Sequence, residues 1–215
     1  MSKYHPDNIM LLDYAAGNLP PAQALAIAVH LFLCHHCRLQ VAALNQLGGE
    51  LLDSTAPQGD VGITDFDSLM AHIETAPVVS QPQPAARKPG NPLLRYLPAS
   101  LDQLPWKKQS SEISKFDLTS ALAITGFQVN LQKIKAGARV PHHTHKGEEI
   151  TVILSGGFSD ELGVYHAGDF VSRDGQHRHS PTALQNEDCI CLTVLDAPIK
   201  FTGPLYRLLN PFMAW

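Results

Sequence analysis

The sequence of 215 residues lacks the features that mark several common protein classes. Its 16 basic residues are fewer than its 20 acidic ones, so the basic excess typical of nucleic-acid-binding proteins is missing. No run approaches the roughly 18 consecutive apolar residues that a transmembrane helix needs, so we expect no membrane association. The N-terminal segment MSKYHPDNIM has no apolar signal core, so we expect a cytoplasmic protein and not a secreted one.

Cysteine is also scarce, and its four copies form two close pairs. Cys34 and Cys37 are separated by two residues, and Cys189 and Cys191 by one. A secreted disulfide scaffold would carry more cysteines in a shorter chain, so metal binding or redox chemistry better explains the first pair. Histidine, by contrast, occurs 11 times and needs an explanation.

The chain changes its pattern near residue 76. Residues 76–92 contain five prolines and predict an extended linker, with an ordered loop of one larger domain as the alternative. Residues 1–75 have helical periodicity, whereas residues 93–215 alternate short apolar runs with glycine and charged residues. We therefore predict a two-domain protein, with an all-α domain at 1–75 and an all-β barrel or sandwich at 93–215.

The helical half predicts four helices. Gly17 is expected to end the first, Pro20-Pro21 to begin the second, and Gly48-Gly49 to stop the third. The fourth, over about residues 64–74, has an apolar stripe that would either bind in a groove on a partner protein or pack back on its own domain. This stripe consists of Phe66, Leu69, Met70 and Ile73. Residues 1–75 also contain eight acidic residues and only two basic ones.

A His-x3-Cys-x2-Cys pattern in this half indicates a zinc site. The pattern is formed by His30, Cys34 and Cys37. Helical spacing places the three side chains on one face or at a helix end, and zinc takes four nitrogen or thiolate ligands. His5, just before the first helix, is the best candidate for the fourth ligand, whereas His35 and His36 are expected to point away. The alternative is a pair of buried cysteines beside a chance histidine.

A second pattern, G-x5-H-x-H-x3-E-x6-G, starts at Gly137 in the predicted barrel. It supplies His143, His145 and Glu149. Alternation along a strand puts the two histidines on one side, where a barrel interior can bring ligands together. For the fourth ligand we choose His179, because Ser180-Pro181 ends its strand, and His177 is the alternative. Three histidines and a carboxylate suit zinc, iron(II), manganese or nickel.

The second pattern resembles the first motif of the cupin superfamily, whose fold is a double-stranded β-helix. The first pattern resembles the zinc-binding anti-sigma domain, and the combination resembles the ChrR family of anti-sigma factors, as do residues 13–17 and 188–192. The resemblance implies a cytoplasmic protein that binds an extracytoplasmic-function, sigma-E-like sigma factor through its helical half and holds zinc in both halves. It also implies that the cupin half is needed for the response to singlet oxygen or organic hydroperoxides.

Two classes of function compete. As a regulator, the protein would inhibit the sigma factor and release it when oxidant reacts with the metal-bound histidines or with Cys189 and Cys191, for which burial in the core is the simpler explanation. As a cupin metalloenzyme, such as a dioxygenase with a helical appendage, it would need an open position at its metal. A small-ligand binding module is a third possibility. We predict the regulator, without catalytic residues.

Overall fold

Helices occupy the first part of the chain and strands the second in the computed structural model, which describes residues 2–56, 66–76, 90–202 and 210. The helices are α1 (Asn8–Ala15), α2 (Pro21–Leu33), α3 (His35–Ser54), α4 (Phe66–Thr75), a 3-10 helix (Pro92–Arg95) and α5 (Thr119–Leu122). Most of the expected linker, residues 77–89, lies outside the described residues. Among the described helices, none is by itself long and apolar enough to cross a membrane, and only α2 and α3 together, bent by 118°, reach that length and composition.

Local sequence signals explain most of the helix boundaries. The Asp7 carboxylate accepts a backbone hydrogen bond at the start of α1, and Pro21 lies in the first turn of α2. The expected stop at Gly48-Gly49 is wrong, because α3 continues to Ser54. Neither glycine has a positive φ. Since a glycine inside a helix costs only about 1 kcal/mol, it weakens α3 without ending it.

The second half forms a barrel from three antiparallel sheets. The strands are β1 (Lys107–Lys108), β2 (Ile113–Asp117), β3 (Gln128–Ile134), β4 (His143–His145), β5 (Glu149–Ser155), β6 (Gly157–Asp160), β7 (Gly163–His166), β8 (Phe170–Arg173), β9 (Arg178–His179), β10 (Thr182–Ala183), β11 (Cys189–Leu195) and β12 (Ile199–Phe201). The large sheet has the order β1-β2-β3-β11-β5-β8, and the two smaller sheets have the orders β10-β6-β7 and β12-β4-β9. This architecture agrees with the predicted all-β half.

The large sheet has two faces of different character. In one cross-strand row, Lys115 pairs with Gln132, which pairs with Cys191, and these side chains line the barrel interior. The next row along the same strands, which includes Leu131 and Leu192, is fully buried on the outer face. Because strand side chains alternate, the polar interior and the apolar exterior come from the same strands.

The helices cover this apolar outer face. A single buried cluster includes Leu25 and Val29 of α2 together with Leu131, Val152 and Leu192 of the sheet. The helical and barrel halves therefore contact each other through a shared apolar core. A second cluster, inside the barrel, packs around Ile153 and Phe158.

Candidate metal centres

The first candidate centre lies where α2 meets α3. The structure brings together the side chains of His5, His30, Cys34 and Cys37, whose ligand atoms all lie within 4.8 Å of one another. The chain turns between the two helices at Cys34, so the cysteine spacing places both sulfurs on the same side as His30. His5 reaches them from the segment before α1. We name this set the helical cluster.

The donor atoms of the helical cluster have the chemistry and the spacing that zinc requires. The Cys37 Sγ lies 3.4 Å from His30 Nε2 and 3.4 Å from His5 Nδ1, and Cys34 Sγ lies 3.5 Å from the same His5 nitrogen. The Zn–N and Zn–S bond lengths of a tetrahedral site give nitrogen–sulfur separations of about 3.6 Å. Burial, together with the adjacent Cys34, raises the pKa of Cys37 to about 12. A cation is therefore needed to hold the Cys37 sulfur as a thiolate.

The barrel fixes the orientation of one of these candidate ligands. The ring of His30 is fully buried, and its Nδ1 donates a hydrogen bond of 2.8 Å to the backbone oxygen of Gly168. This bond leaves Nε2 to face the cluster. Burial lowers the pKa of His30 to about 4, so the ring is neutral at physiological pH, as a metal ligand must be. Gly168 has a φ of +95°, which favours glycine at this contact.

The segment that carries His5 is also anchored to the barrel. The buried carboxylate of Asp169 accepts hydrogen bonds from the backbone N–H groups of Lys3 and Tyr4, at 2.6 and 3.1 Å. The backbone N–H of Phe170 in turn donates to the Tyr4 oxygen at 3.0 Å. We name Lys3, Tyr4 and His5 the N-terminal arm. The barrel therefore positions both histidines of the helical cluster.

The second candidate centre lies inside the barrel. The structure brings together His143, His145, Glu149 and His179, again with all ligand atoms within 4.8 Å. The Nε2 atom of His145 is 3.1 Å from that of His179 and 3.3 Å from a carboxylate oxygen of Glu149. Nitrogen ligands of a tetrahedral zinc ion lie about 3.3 Å apart, so this spacing also fits a metal. We name this set the barrel cluster.

Hydrogen bonds orient two of the three histidines in the barrel cluster. His143 donates from Nδ1 to the Pro141 oxygen at 2.8 Å, and His179 donates from Nδ1 to Asp160 at 3.2 Å. Each bond leaves Nε2 for the cluster. The Nδ1 of His145 is buried and has no hydrogen-bond partner among the described residues. Burial lowers the pKa of His143 to about 4 and also lowers that of His145, which keeps these rings neutral.

Asp160 is the main support of His179 and was not among the residues identified from the sequence. Its carboxylate also pairs with Arg173 at 3.3 Å and accepts a bond from the Tyr165 hydroxyl at 3.1 Å. Burial opposes its ionisation, but the bonds from His179 and Arg173 outweigh burial and lower the pKa of Asp160. No sequence motif marks this residue, because its partners come from three different strands.

The remaining histidines lie outside both clusters. His177 is partly exposed and pairs with Asp174 at 2.7 Å, so the structure places His179 and not His177 beside the other barrel ligands. The other histidines outside the clusters are exposed at positions 35, 36, 72, 142 and 166. Cys189 and Cys191 are both buried as free thiols. A hydrogen bond that the Cys191 thiol donates to Cys189, together with burial, raises the pKa of Cys191, which favours the thiol form of this residue.

The apolar stripe of α4 is exposed. Its side-chain positions range from 38% exposed for Met70 to 69% for Phe66, with Leu69 and Ile73 in between, and no residue of α4 is buried. The end of α3 has the same character, since Leu51 and Leu52 are exposed. The stripe thus does not pack on its own domain in the part of the chain that the structure describes.

Two comparisons with known proteins match this chain over nearly its full length. The sequence is 35% identical to the anti-sigma-E factor ChrR of Cereibacter sphaeroides, over 98% of this chain and 97% of the relative. The fold matches a chain in the crystal structure of Rhodobacter sphaeroides SigE in complex with the anti-sigma ChrR. That match has a TM-score of 0.73 and 30% identity, and covers 91% of this chain and 100% of that chain.

The barrel alone also has a family match. Residues 97–198 match the ChrR cupin-like domain. Together with the full-length similarities, this match confirms the predicted combination of an all-α half with a cupin barrel. The full-length relative is by name a regulatory protein and not an enzyme, so neither cluster is assigned a catalytic residue.

Proposed function

Since this chain belongs to the ChrR family of anti-sigma factors, we propose that it binds an extracytoplasmic-function sigma factor in the cytoplasm and keeps it from RNA polymerase. The helical half provides the binding surface. The cupin barrel senses an oxidant, such as singlet oxygen or an organic hydroperoxide, and weakens the complex. We further propose zinc as the ion in the helical cluster and zinc or another divalent metal in the barrel cluster.

The observation that carries the binding proposal is the uncovered stripe of α4. A monomeric protein rarely leaves a contiguous apolar surface of this kind in water, and an amphipathic helix binds a partner by placing its apolar face in a groove. Met70 suits an adaptable interface. Residues 1–75 contain eight acidic residues against two basic ones, which complements the basic surface by which a sigma factor meets promoter DNA.

Co-expression with the sigma factor encoded beside this gene tests the binding proposal. We expect a stable complex with the full chain and at least a tenfold loss of affinity when Leu69→Glu and Ile73→Glu are combined, because two charges would enter an apolar contact. Ser68→Glu combined with Thr75→Glu is the matched control, since it adds the same two charges on the opposite face of α4. If the Leu69→Glu, Ile73→Glu variant binds as tightly as the control, α4 is not the binding surface.

A contact route between the two clusters supports control of release by the barrel. From the barrel cluster, His179 contacts Asp160, which contacts Tyr165. The ring of Tyr165 packs against that of Tyr4, with 4.6 Å between centroids, and Tyr4 directly precedes His5 of the helical cluster. A change at His179 therefore has a continuous path of packed and hydrogen-bonded groups to the N-terminal arm. To release the partner, such a change must alter the relative stability of bound and free states.

The first chemical step of sensing is addition of the oxidant to a barrel side chain. Singlet oxygen adds as an intact molecule across an imidazole ring and so removes that ring as a ligand. An organic hydroperoxide instead oxidises a thiol to a sulfenic acid and leaves as the alcohol. The raised pKa of Cys191 disfavours the thiolate that the hydroperoxide reaction needs. The singlet-oxygen reaction needs no thiolate, and we place it at the histidines.

Release under oxidant tests the sensing proposal separately from binding. We expect His179→Ala to retain the sigma factor but to lose release by photosensitised singlet oxygen. His177→Ala is the matched control, because His177 lies two residues away and outside the cluster. A His179→Ala protein that releases its partner normally contradicts sensing at the metal. Loss of release in a Cys189→Ala, Cys191→Ala protein but not in His179→Ala would assign sensing to the thiols.

A further inference from the structure

The barrel encloses a cavity of about 250 Å³ that is unexplained by sigma-factor binding. We propose that this cavity binds a small organic carboxylate, with the Lys115 ammonium as its counter-ion and a short alkyl chain against the apolar wall. Three candidate ligands of the barrel cluster also line the cavity, namely His143, Glu149 and His179. The other lining side chains surround the part of the cavity that the barrel cluster leaves open.

Lys115 is the feature that indicates an anionic ligand. It lies in β2 with its side chain lining the cavity, is half-buried, and makes no hydrogen bond or ion pair within the part of the chain that the structure describes. Burying an ammonium group without a partner is costly, because it loses its hydration. Glu149 is the acidic side chain that lines the cavity, and a cation in the barrel cluster would already neutralise its charge. A bound carboxylate would supply the missing charge.

Other donors without a protein partner among the described residues accompany Lys115. The side-chain amides of Gln128 and Gln132 line the same cavity and make no hydrogen bond among the described residues. Arg173 also lines the cavity, and its Nε is buried without a partner. A carboxylate has two oxygens with several acceptor positions, so it can use more than one of these donors.

The rest of the lining limits the ligand to a small molecule with an apolar chain. The apolar wall includes Ile134, Val140, Phe158, Val171 and Leu195. Pockets for drug-sized ligands have roughly 300–1,000 Å³, so this cavity suits a smaller molecule. A sugar would leave its hydroxyl groups unpaired against the apolar wall. A phosphate would need more than one free cation, and the terminal nitrogens of Arg173 are already engaged by Asp160, Tyr165 and the Ser172 oxygen.

Calorimetric titration of the metal-loaded full chain tests the proposal. The probes are straight-chain carboxylates from acetate to octanoate, with hexanol and hexylamine as neutral and cationic analogues of hexanoate. We expect affinity to rise with chain length until the cavity is full, and hexanoate to bind at least tenfold more tightly than hexanol or hexylamine. Equal binding of hexanol and hexanoate, or no binding of any carboxylate, overturns the proposal.

Substitution of Lys115 tests whether this lysine, and not the metal ion alone, binds the carboxylate. Lys115→Met is expected to weaken hexanoate binding at least tenfold, whereas Lys108→Met, at an exposed position of β1, leaves it unchanged. Lys115→Met should also raise the melting temperature without ligand, because it removes a half-buried charge that has no partner among the described residues. Lys115→Gln repeats the test if the methionine variant does not fold. Unchanged hexanoate affinity in a folded Lys115 variant overturns the proposal, and capture of the sigma factor is scored independently on the same proteins.

Discussion

Single hydrogen bonds determine how the metal-ligand candidates face their clusters. His30, His143 and His179 each donate one ring N–H, to Gly168, Pro141 and Asp160. Asp160 differs from the other two acceptors, because it is a carboxylate and carries a full charge. A charged acceptor makes a stronger hydrogen bond and raises the basicity of the ligand nitrogen. His179 is therefore the ligand whose support is most sensitive to a single substitution.

We predict that Asp160→Asn weakens metal binding in the barrel cluster by about 10- to 100-fold and leaves the helical cluster loaded. Asparagine keeps the shape of the side chain but loses the charge that holds His179 and Arg173. The measurement is zinc content per chain after dialysis against a competing chelator, with circular dichroism as the check on folding. We expect about half of the wild-type zinc.

Glu161→Gln is the matched control for this variant. Glu161 is the next residue along the chain and is exposed. Among the residues that the structure describes, it pairs with His142 and the backbone of Ser180 at the rim. It should retain wild-type zinc content. Equal losses in both variants, or full zinc in Asp160→Asn, would show that the carboxylate beneath His179 does not support the barrel cluster.

Spacing in the sequence predicted which side chains the structure gathers, but not what surrounds them. The H-x-H alternation and the helical position of His30 depend on local geometry, so most of each cluster could be proposed from neighbouring residues. His5 and His179 are distant in the sequence and were chosen from their positions before a helix and at the end of a strand. Asp160, Lys115 and Tyr4 acquire their roles only from strands and segments distant in the chain. A lysine at position 115 has no sequence signal for burial, since lysines are usually exposed. Metal binding by the clusters stays a prediction.

At the scale of secondary structure, two kinds of glycine behave differently. Gly17 follows α1 with a φ of +73°, as expected for a residue that ends a helix. Gly48 and Gly49 lie inside α3, where an added Cβ would meet no atom within 4 Å. The sequence predicted an end at both places, because it shows residue type but not backbone conformation. Only the surrounding structure distinguishes a glycine that is required from one that is tolerated.

We predict that Gly48→Ala with Gly49→Ala strengthens the second half of α3, by up to about 1 kcal/mol for each site. Alanine loses less backbone entropy than glycine on helix formation. Hydrogen exchange of the backbone amides from Gln46 to Ser54 should slow by several-fold. Because this part of α3 is exposed, the melting temperature of the whole chain should change little.

The same substitution at Gly17 provides the opposite control. Its Cβ would also meet no atom within 4 Å, so only the left-handed backbone opposes alanine. Gly17→Ala should lower the free energy of unfolding by about 1 kcal/mol. If alanine at positions 48 and 49 speeds exchange in α3, the two glycines are required there for a reason other than helix propensity.

At the scale of the whole molecule, the two halves are coupled by packing. Alternating patterns predicted a helical half and a barrel half correctly, because each pattern depends on residues within one element. They did not predict that α2 would cover the outer face of the large sheet, where Leu25 and Val29 join Leu131 and Leu192 in one cluster. The apolar outer residues of β3 and β11 carried this information, since a sheet exposed on that face would be polar there.

Removal of the barrel tests both the division of the chain and this coupling. We predict that residues 1–92 still capture the sigma factor, because α4 and the end of α3 lie outside the shared core.

The fragment should nevertheless melt at a lower temperature and bind zinc at least tenfold more weakly than the full chain. Deletion uncovers Leu25 and Val29, and it removes the Gly168 and Asp169 groups that position His30 and the N-terminal arm. Melting curves, zinc competition and co-purification give these three results on one preparation. A fragment that captures no sigma factor contradicts binding by the helical half, and one as stable as the full chain contradicts the shared core.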